Sequence, residues 1–556
     1  MKILDAILSV SLISLCCIFG YFVHQTSQQF GNIQEAIVEL QEQSSSLNYM
    51  QSMQMMPQKD TNMSTDLCST ALSSQLWSKL QKGLQDTVVQ LLVTNMEKHV
   101  LQPYKVPKQG GCTGSGFIIS DDGEIITNAH VVNGATTIML QMPSFGKHQF
   151  EVDLVGIMPE KDFALLKFRP DDVVLIVSTL GKMPMLPLGD SDLVTRSQEI
   201  LALGYPLGQQ SLKSTTGVIS GREAGEIQMS APINPGSSGG PSLNCFGEVI
   251  GINSSGIVQA QNVGYIIPIN DLKIFLSHLR AGGLVRKPYL GVYQAMATED
   301  LVKALGNPLP GGTYVVEVLS DSPLLGKLLP GDMIYDINGV PLDLYGEMTV
   351  PWSEDKISSA NYISRLEVGQ KVAMTVYRKG KKMKFECTFE RTKFAPIRHV
   401  FAEYEDLPYE VFGGFVVMPL MVNHLPHLVP VAPGLAKFAE EKKQSDPLLV
   451  ITHVMPDSPA YKARLRLVGS IIKTINGKPV NTLADLHKAL IDSGDMITME
   501  TTDNILAALT KDTICKAEPM LARANGYQIT PMMQELIAQH GQKGTVKPAV
   551  TAASVK

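Results

Sequence analysis

The hydrophobic pattern of the chain changes character several times. From Ala6 to Val23 (AILSVSLISLCCIFGYFV) 18 residues pass without a charge, close to the roughly 20 that carry a helix across a bilayer. Phe30, Ile33, Ile37 and Leu40 then recur at steps of three and four, a short amphipathic or coiled-coil seam. Residues 41–75, rich in Ser, Gln and Met and without periodicity, read as a flexible tether. From about Leu84 to Asn270 short apolar runs bounded by glycine follow one another: GSGFIIS, GEIITNAHVV, DFALLKF, EILALGYP and GEVIGINSS. That texture predicts an all-β barrel or sandwich. DLKIFLSHLRAGG, from Asp271, has helical spacing and a glycine stop, and closes the domain.

Beyond it the pattern repeats. Val315–Leu342 and Val450–Val480 each run through a strand, Asp-Ser-Pro, a short helix, a second strand and an Asn-Gly turn. The offset of 136 residues between Asp321 and Asp457 is too long for a solenoid and predicts two tandem domains. The expected organisation is 1–24 signal anchor or signal peptide, 25–83 seam and tether, 84–284 β domain, 285–394 and 400–516 the two repeats, and 517–556 a C-terminal helix and tail.

Composition narrows the picture. A chain of 556 residues is too long for one core, and 44% hydrophobic with 18% charged residues describes a globular protein. A net charge of −6 gives no electrostatic reason to expect nucleic acid. Two of the seven cysteines, Cys16 and Cys17, lie in the first apolar run; the other five are scattered and form neither a disulfide framework nor a CxxC metal pattern. The amino terminus, Lys2 and Asp5 sum to about +1 before the run, and Glu35, Glu39 and Glu42 are the first charges after it, which keeps the N-terminus cytosolic and exports the rest. No small-x-small cleavage site follows, so an uncleaved anchor is preferred, with a cleaved signal as the alternative.

The β domain offers the parts of a serine hydrolase: a hydroxyl, a histidine to take its proton, and a carboxylate to orient the histidine. His130 in TNAHVV, Asp162 in EKDFALLKF and Ser238 in NPGSSGGP each have a bland reading as a structural or turn residue. Together they arrive in the order His, Asp, Ser at spacings of 32 and 76 residues within one β-rich segment. GSSGG also fits a G-x-S-x-G elbow, but that elbow needs a following helix and the order Ser, Asp, His, whereas Pro241 and further β structure follow here.

TNAHVV, DFALLKF, NPGSSGGP, GEVIGIN and GYIIPIN resemble the successive signatures of HtrA/Deg serine proteases, and the two repeats resemble that family's PDZ domains, over about Leu84 to Cys515. The resemblance implies a mostly β protein: a chymotrypsin-like double β-barrel followed by two PDZ-like α+β domains, assembled as trimers or multiples of trimers, without ATP, metal or other cofactor. It implies His130 as general base, Asp162 as its orienting group and Ser238 as nucleophile. The N–H groups of Gly236 and Ser238 become the oxyanion hole, and Ile233 and Ile257 line a small apolar pocket. Ser237 stands where the family usually has Asn, and only eight residues separate Ser220 from Met229, a short version of a loop that relays activation.

In the first repeat KPYLGV is similar to the family's carboxylate loop, with Tyr289, Leu290, Gly291 and Val292 at a groove for peptide C-termini; in the second, Gly413, Gly414 and Phe415 hold the corresponding place in a divergent sequence. The leading expectation is an envelope endopeptidase of the periplasm, held in the inner membrane, that degrades unfolded or misfolded polypeptides. The alternatives are a catalytically weak or inactive chaperone that binds such chains through its PDZ domains, and an esterase.

Overall fold

The computed structural model describes Trp77 and residues 83–256, 262–287, 289–319, 322–389 and 395–543. The apolar N-terminal run, the seam, Ile257 and Asp321 lie outside the described residues.

Strands β1 (Val88–Glu97), β2 (Lys108–Ile118), β3 (Glu124–Thr127), β4 (Ala135–Gln141), β5 (Phe150–Met158) and β6 (Phe163–Phe168) run in the order β5-β4-β1-β2-β3-β6, and β5 pairs with β6 to close a barrel. A second closed barrel is formed by β7 (Glu199–Gly204), β8 (Lys213–Glu223), β9 (Glu226–Met229), β10 (Pro241–Leu243), β11 (Val249–Gly256) and β12 (Gly264–Pro268). Successive side chains of a strand point to opposite faces. Ile125 and Leu166 therefore fill the first barrel, while their neighbours Ile126 and Leu165 enter a core shared by both barrels. In the second barrel Ile200, Ala202 and Ile266 point inward, and Leu201, Leu203 and Ile267 reach the shared core. Burial on both faces explains why these strands read as unbroken apolar runs instead of alternating ones.

The helix Ile269–Arg280 lays Ile269, Leu272, Phe275 and Leu279 into the shared core, at steps of three and four. The all-β reading of this region omits the helix Pro170–Leu180, although its start and stop are written in the chain. Pro170 occupies the first position, Asp171 and Asp172 the first turn, and Gly181 ends it at φ 81°.

After β13 (Gly283–Leu284), which pairs parallel with β5, the first repeat forms β14 (Val292–Ala295), β15 (Thr313–Val318), β16 (Met333–Ile337), β17 (Val340–Pro341), the small pair β18 (Glu347–Met348) and β19 (Ile357–Ser358), β20 (Lys371–Arg378) and β21 (Lys381–Thr388). The second forms β22 (Glu410–Phe412), β23 (Phe415–Pro419), β24 (Leu449–Val454), β25 (Ile471–Ile475), β26 (Lys478–Pro479), β27 (Met496–Thr501) and β28 (Leu506–Thr510). Their sheets match, β14-β15-β16-β20-β21 against β23-β24-β25-β27-β28, but the second carries β22 on the outer edge of β23. Helices Lys511–Asn525 and Pro531–Lys543 bring Ile514, Met532, Met533 and Leu536 into the second repeat's core, so this unit is packed well past residue 516.

Candidate active site

His130 sits on the one-turn helix Ala129–Val132 that follows β3. Asp162 follows the 3-10 turn Pro159–Lys161 between β5 and β6 and adopts φ 56°, a left-handed conformation that Asp tolerates better than most side chains. Its carboxylate meets His130 twice: Oδ1 accepts the backbone N–H at 2.9 Å, and Nδ1 of the ring lies 3.0 Å from Oδ1 and 2.8 Å from Oδ2. A carboxylate only accepts, so Nδ1 carries the ring proton of neutral His130 and Nε2 presents its lone pair. Asn128 donates Nδ2–H to the Asp162 carbonyl at 2.8 Å and ties the two loops together.

The loop Gly236–Gly240 is pinned from both barrels. Ser115 of β2 donates its N–H to the Ser238 carbonyl at 2.9 Å and its hydroxyl to the Gly236 carbonyl at 2.7 Å; that hydroxyl also accepts the Tyr205 N–H at 2.9 Å. From β11, the Asn253 carbonyl accepts the Gly239 N–H and its amide donates to the Gly240 carbonyl, both at 2.8 Å. Gly239 is required here: at φ 86°, an added Cβ would lie 2.2 Å from the Ser115 carbonyl oxygen and 2.3 Å from Thr127 Oγ1. Among the described residues, no acceptor meets the N–H of Gly236 or Ser238. Ser238 donates its hydroxyl to the Ser254 carbonyl at 2.9 Å, whereas the Ser237 N–H turns back to the Asn234 carbonyl at 2.9 Å. Ile233 is half-buried and packs against the second-barrel core beside Gly264.

Three participants escape the sequence reading. Ser254 joins the groups twice, through the carbonyl that holds Ser238 and a hydroxyl 3.5 Å from Asp162 Oδ2. Ser115 and Glu226 are the others. Burial, and then the charge of Asp162, push the Glu226 carboxyl above its ordinary range. None of the three carries a chemical motif; Ser115 within GSGFIIS and Ser254 at the end of GEVIGINSS had only a positional signal, and Glu226 had none.

A cleft of about 340 Å³ opens on His130 and Asp162, and its far wall is His399 and Phe401 from the chain entering the second repeat and Asn423 from just after β23 within it. Tyr404 accepts the Gly134 N–H at 3.2 Å and donates to the Val132 carbonyl at 3.3 Å, just past the helix of His130. The loop between β1 and β2 reaches across: Thr452 donates to the Leu101 carbonyl at 2.8 Å, and the Tyr104 ring lies 5.9 Å from Tyr409 and 5.6 Å from Tyr527.

In the first repeat Tyr289, Leu290 and Val292 border a cleft of about 500 Å³ whose opposite side is the helix Ser359–Ile363. Ser322 donates to the Leu290 carbonyl at 2.7 Å, and Gly291 turns the loop at φ 66°. Among the described residues β14 pairs on one side only, with β15, so its other edge faces this cleft. In the second repeat that edge is taken. Gly413 and Gly414 form a tight turn that folds β22 onto β23, pairing Phe412 with Phe415, Val411 with Val416 and Glu410 with Val417.

A trypsin-like peptidase domain model matches residues 114–252, the stretch that carries His130, Asp162 and Ser238, and a PDZ domain model matches residues 400–531, the more divergent repeat. A protein of Marinomonas sp. (strain MWYL1) named probable periplasmic serine endoprotease DegP-like is 30% identical over 401 residues, 69% of this chain and 76% of that protein. This chain belongs to the HtrA/Deg family of serine proteases. A second family member, of the same name from Hahella chejuensis, is 30% identical over 399 residues, with the same 69% and 76% coverage. The solved HtrA-type protease AlgW with decapeptide is 27% identical, at a TM-score of 0.45 over 58% of this chain and 99% of that one. As an HtrA/Deg protein with two closed six-stranded barrels, the chain is a serine endopeptidase.

Proposed function

We propose that this endopeptidase cleaves unfolded or misfolded polypeptides in the periplasm, with Ser238 as nucleophile, His130 as general base and Asp162 as its orienting group. The observation that carries the assignment is the pair of 2.8 and 3.0 Å contacts between the Asp162 carboxylate and Nδ1, which leaves Nε2 as the proton acceptor. The Ser238 hydroxyl, resting on the Ser254 carbonyl, turns to Nε2 as a substrate enters. Oγ attacks the scissile carbonyl carbon, its proton passes to Nε2, and the oxyanion is taken by the N–H groups of Gly236 and Ser238. His130 then protonates the leaving amine, and water, activated by the same nitrogen, releases the acyl group. Every proton and electron pair is accounted for by these residues and water, so the cycle calls on neither ATP nor a metal ion. Ile233 and Ile257 are assigned to the pocket for the residue before the scissile bond.

The open edge of β14 suits a polypeptide with a free apolar C-terminus, added as a further strand with its carboxylate at the Tyr289–Gly291 loop. The family name of the relatives supports a periplasmic protein, and the apolar N-terminal run supports anchoring in the inner membrane. Homotrimer assembly is part of the same reading.

Casein and a small ester, each offered to the full chain, test the proposal. Ser238→Ala should lower casein cleavage by about 10⁴-fold or more, while Ser237→Ala keeps most of it. Equal losses in the two variants would overturn the choice of nucleophile, and ester turnover without casein cleavage would overturn the substrate class.

A further inference from the structure

Three consecutive residues of the turn between β5 and β6 are held by different partners. Asp162 holds His130. Lys161, one residue earlier, places Nζ 2.6 Å from Asp271 Oδ2, and the Asp271 side chain is only 4% exposed on the helix Ile269–Arg280. The other oxygen of Asp271 faces the first repeat: Arg365 Nε lies 3.2 Å from Oδ1, without the geometry of a hydrogen bond, and Oδ1 has no hydrogen-bond partner among the described residues. Glu160 carries the turn's third tie, an ion pair to Arg286 at 3.3 Å.

We propose that Arg365 of the first repeat is a positioning residue for the hydrolytic centre, acting through Asp271 and Lys161 on the turn that carries Asp162. A carboxylate in so dry a place is tolerated only with cations near it; Arg222 of β8 acts from farther off, and two cations lie within ion-pair distance. One belongs to the protease turn and the other to the following domain. Withdrawing Arg365 leaves Oδ1 with neither an ion-pair partner nor a hydrogen bond, and the Asp271–Lys161 pair must rearrange to compensate. Inside the turn one backbone hydrogen bond, from the Asp162 N–H to the Pro159 carbonyl at 3.2 Å, couples these residues, while Asn128 and Arg286 hold the Asp162 carbonyl and the Glu160 carboxylate from outside. A displaced Lys161 therefore drags Asp162 and its grip on the imidazole. Arg365 is itself held in place, its Nη2 lying 2.9 and 3.0 Å from the two oxygens of Asp192 and its guanidinium 4.7 Å from the Trp352 ring centre.

The proposal rests on the triad assignment above, and one experiment separates the two. Hydrolysis of a peptide too short to span the cleft and the first repeat is followed on the full chain, and a fluorophosphonate probe reports the reactive serine. Arg365→Met should lower kcat about 10-fold with KM changed less than about twofold, because orientation is lost and not binding. Arg365→Lys should recover most of kcat by restoring a cation to Asp271 Oδ1. Arg196→Met, which breaks a separate ion pair between the protease domain and the first repeat, Arg196 Nη2 to Asp355 Oδ2 at 2.6 Å, and leaves the relay untouched, should keep kcat within about twofold. Lys161→Met should cost about 10-fold, as Arg365→Met does, and combining the two should cost little more. An unchanged kcat in Arg365→Met, failure of Arg365→Lys to restore it, or an equal loss in Arg196→Met would overturn the relay in favour of simple docking. Labelling of the parent chain at a residue other than Ser238 would instead overturn the triad assignment.

Discussion

Burial raises the Glu518 carboxyl to about 7, with the Tyr527 hydroxyl donating to Oε1 at 2.6 Å and Oε2 without a partner among the described residues. The pH dependence follows from the direction of the shift. Below the ordinary value of 4.5 folded and unfolded chains are both protonated and nothing is lost. From 4.5 to about 7 the unfolded chain gives up its proton and the folded one does not, so stability declines by up to about 1.4 kcal/mol per pH unit, about 3 kcal/mol across the window. Above 7 both forms are ionised and the loss is complete. Glu518→Gln cannot ionise, so relative to the parent it should gain about 2.5 kcal/mol of protection in the helix Lys511–Asn525 between pH 5 and pH 8, read by hydrogen exchange. The same difference at both pH values would contradict it. At Gly239 the constraint is steric: carbonyl and hydroxyl oxygens occupy the place of any Cβ.

Strand pairing separates the two repeats more sharply than their sequences do. A receptor for peptide termini needs an unpaired strand edge beside a helix, and β14 with the helix Ser359–Ile363 supplies one. In the second repeat β22 already occupies the edge of β23, in the antiparallel sense a ligand would take. A peptide with a free apolar C-terminus should therefore bind at one site per chain by calorimetry. Ala360→Trp, a large side chain on the exposed face of the groove helix, should weaken that binding about 100-fold or more, while substitutions at Phe415 leave it intact apart from any loss of folding. Two sites per chain would mean that β22 gives way to ligand. Asn-Gly turns, apolar runs and the repeat itself were legible in the sequence because they are local. That YEVF would fold back onto the following strand was not, since nothing local separates a self-paired edge from an open one.

Across the molecule, the second repeat is a wall of the cleft that holds His130 and Asp162. The β1–β2 loop makes this possible by exchanging hydrogen bonds and aromatic contacts with it through Leu101 and Tyr104. Tyr104→Ala removes an aromatic anchor wedged between two tyrosines and should cost the docking about 2 kcal/mol or more. Faster amide exchange in residues 98–107 and 399–405, with the barrels unchanged, is the expected signature. Protection equal to the parent's would show that Tyr104 does not hold the two together. Sedimentation of the full chain in mild detergent measures the proposed trimer independently, and a monomer at micromolar concentration would end that part of the reading.

The sequence by itself determined the all-β class of the first domain, the repeat and, through its motifs, the family with its double barrel, and it singled out His130, Asp162 and Ser238 as candidates for hydrolysis. Each of these is written in a local run: a glycine-bounded apolar strand, an Asn-Gly turn, or a short motif whose chemistry depends on residue type. Tertiary structure decided what joins those runs. Ser115 and Ser254 brace the Ser238 loop from strands 123 and 16 residues away, Asp271 lies 110 residues from the Lys161 it neutralises, and Arg365 belongs to another domain altogether. A hydrogen bond or an ion pair requires proximity in space and leaves no period or motif in the chain, so closure of the barrels and docking of the repeats had to bring these groups together before their roles could be seen.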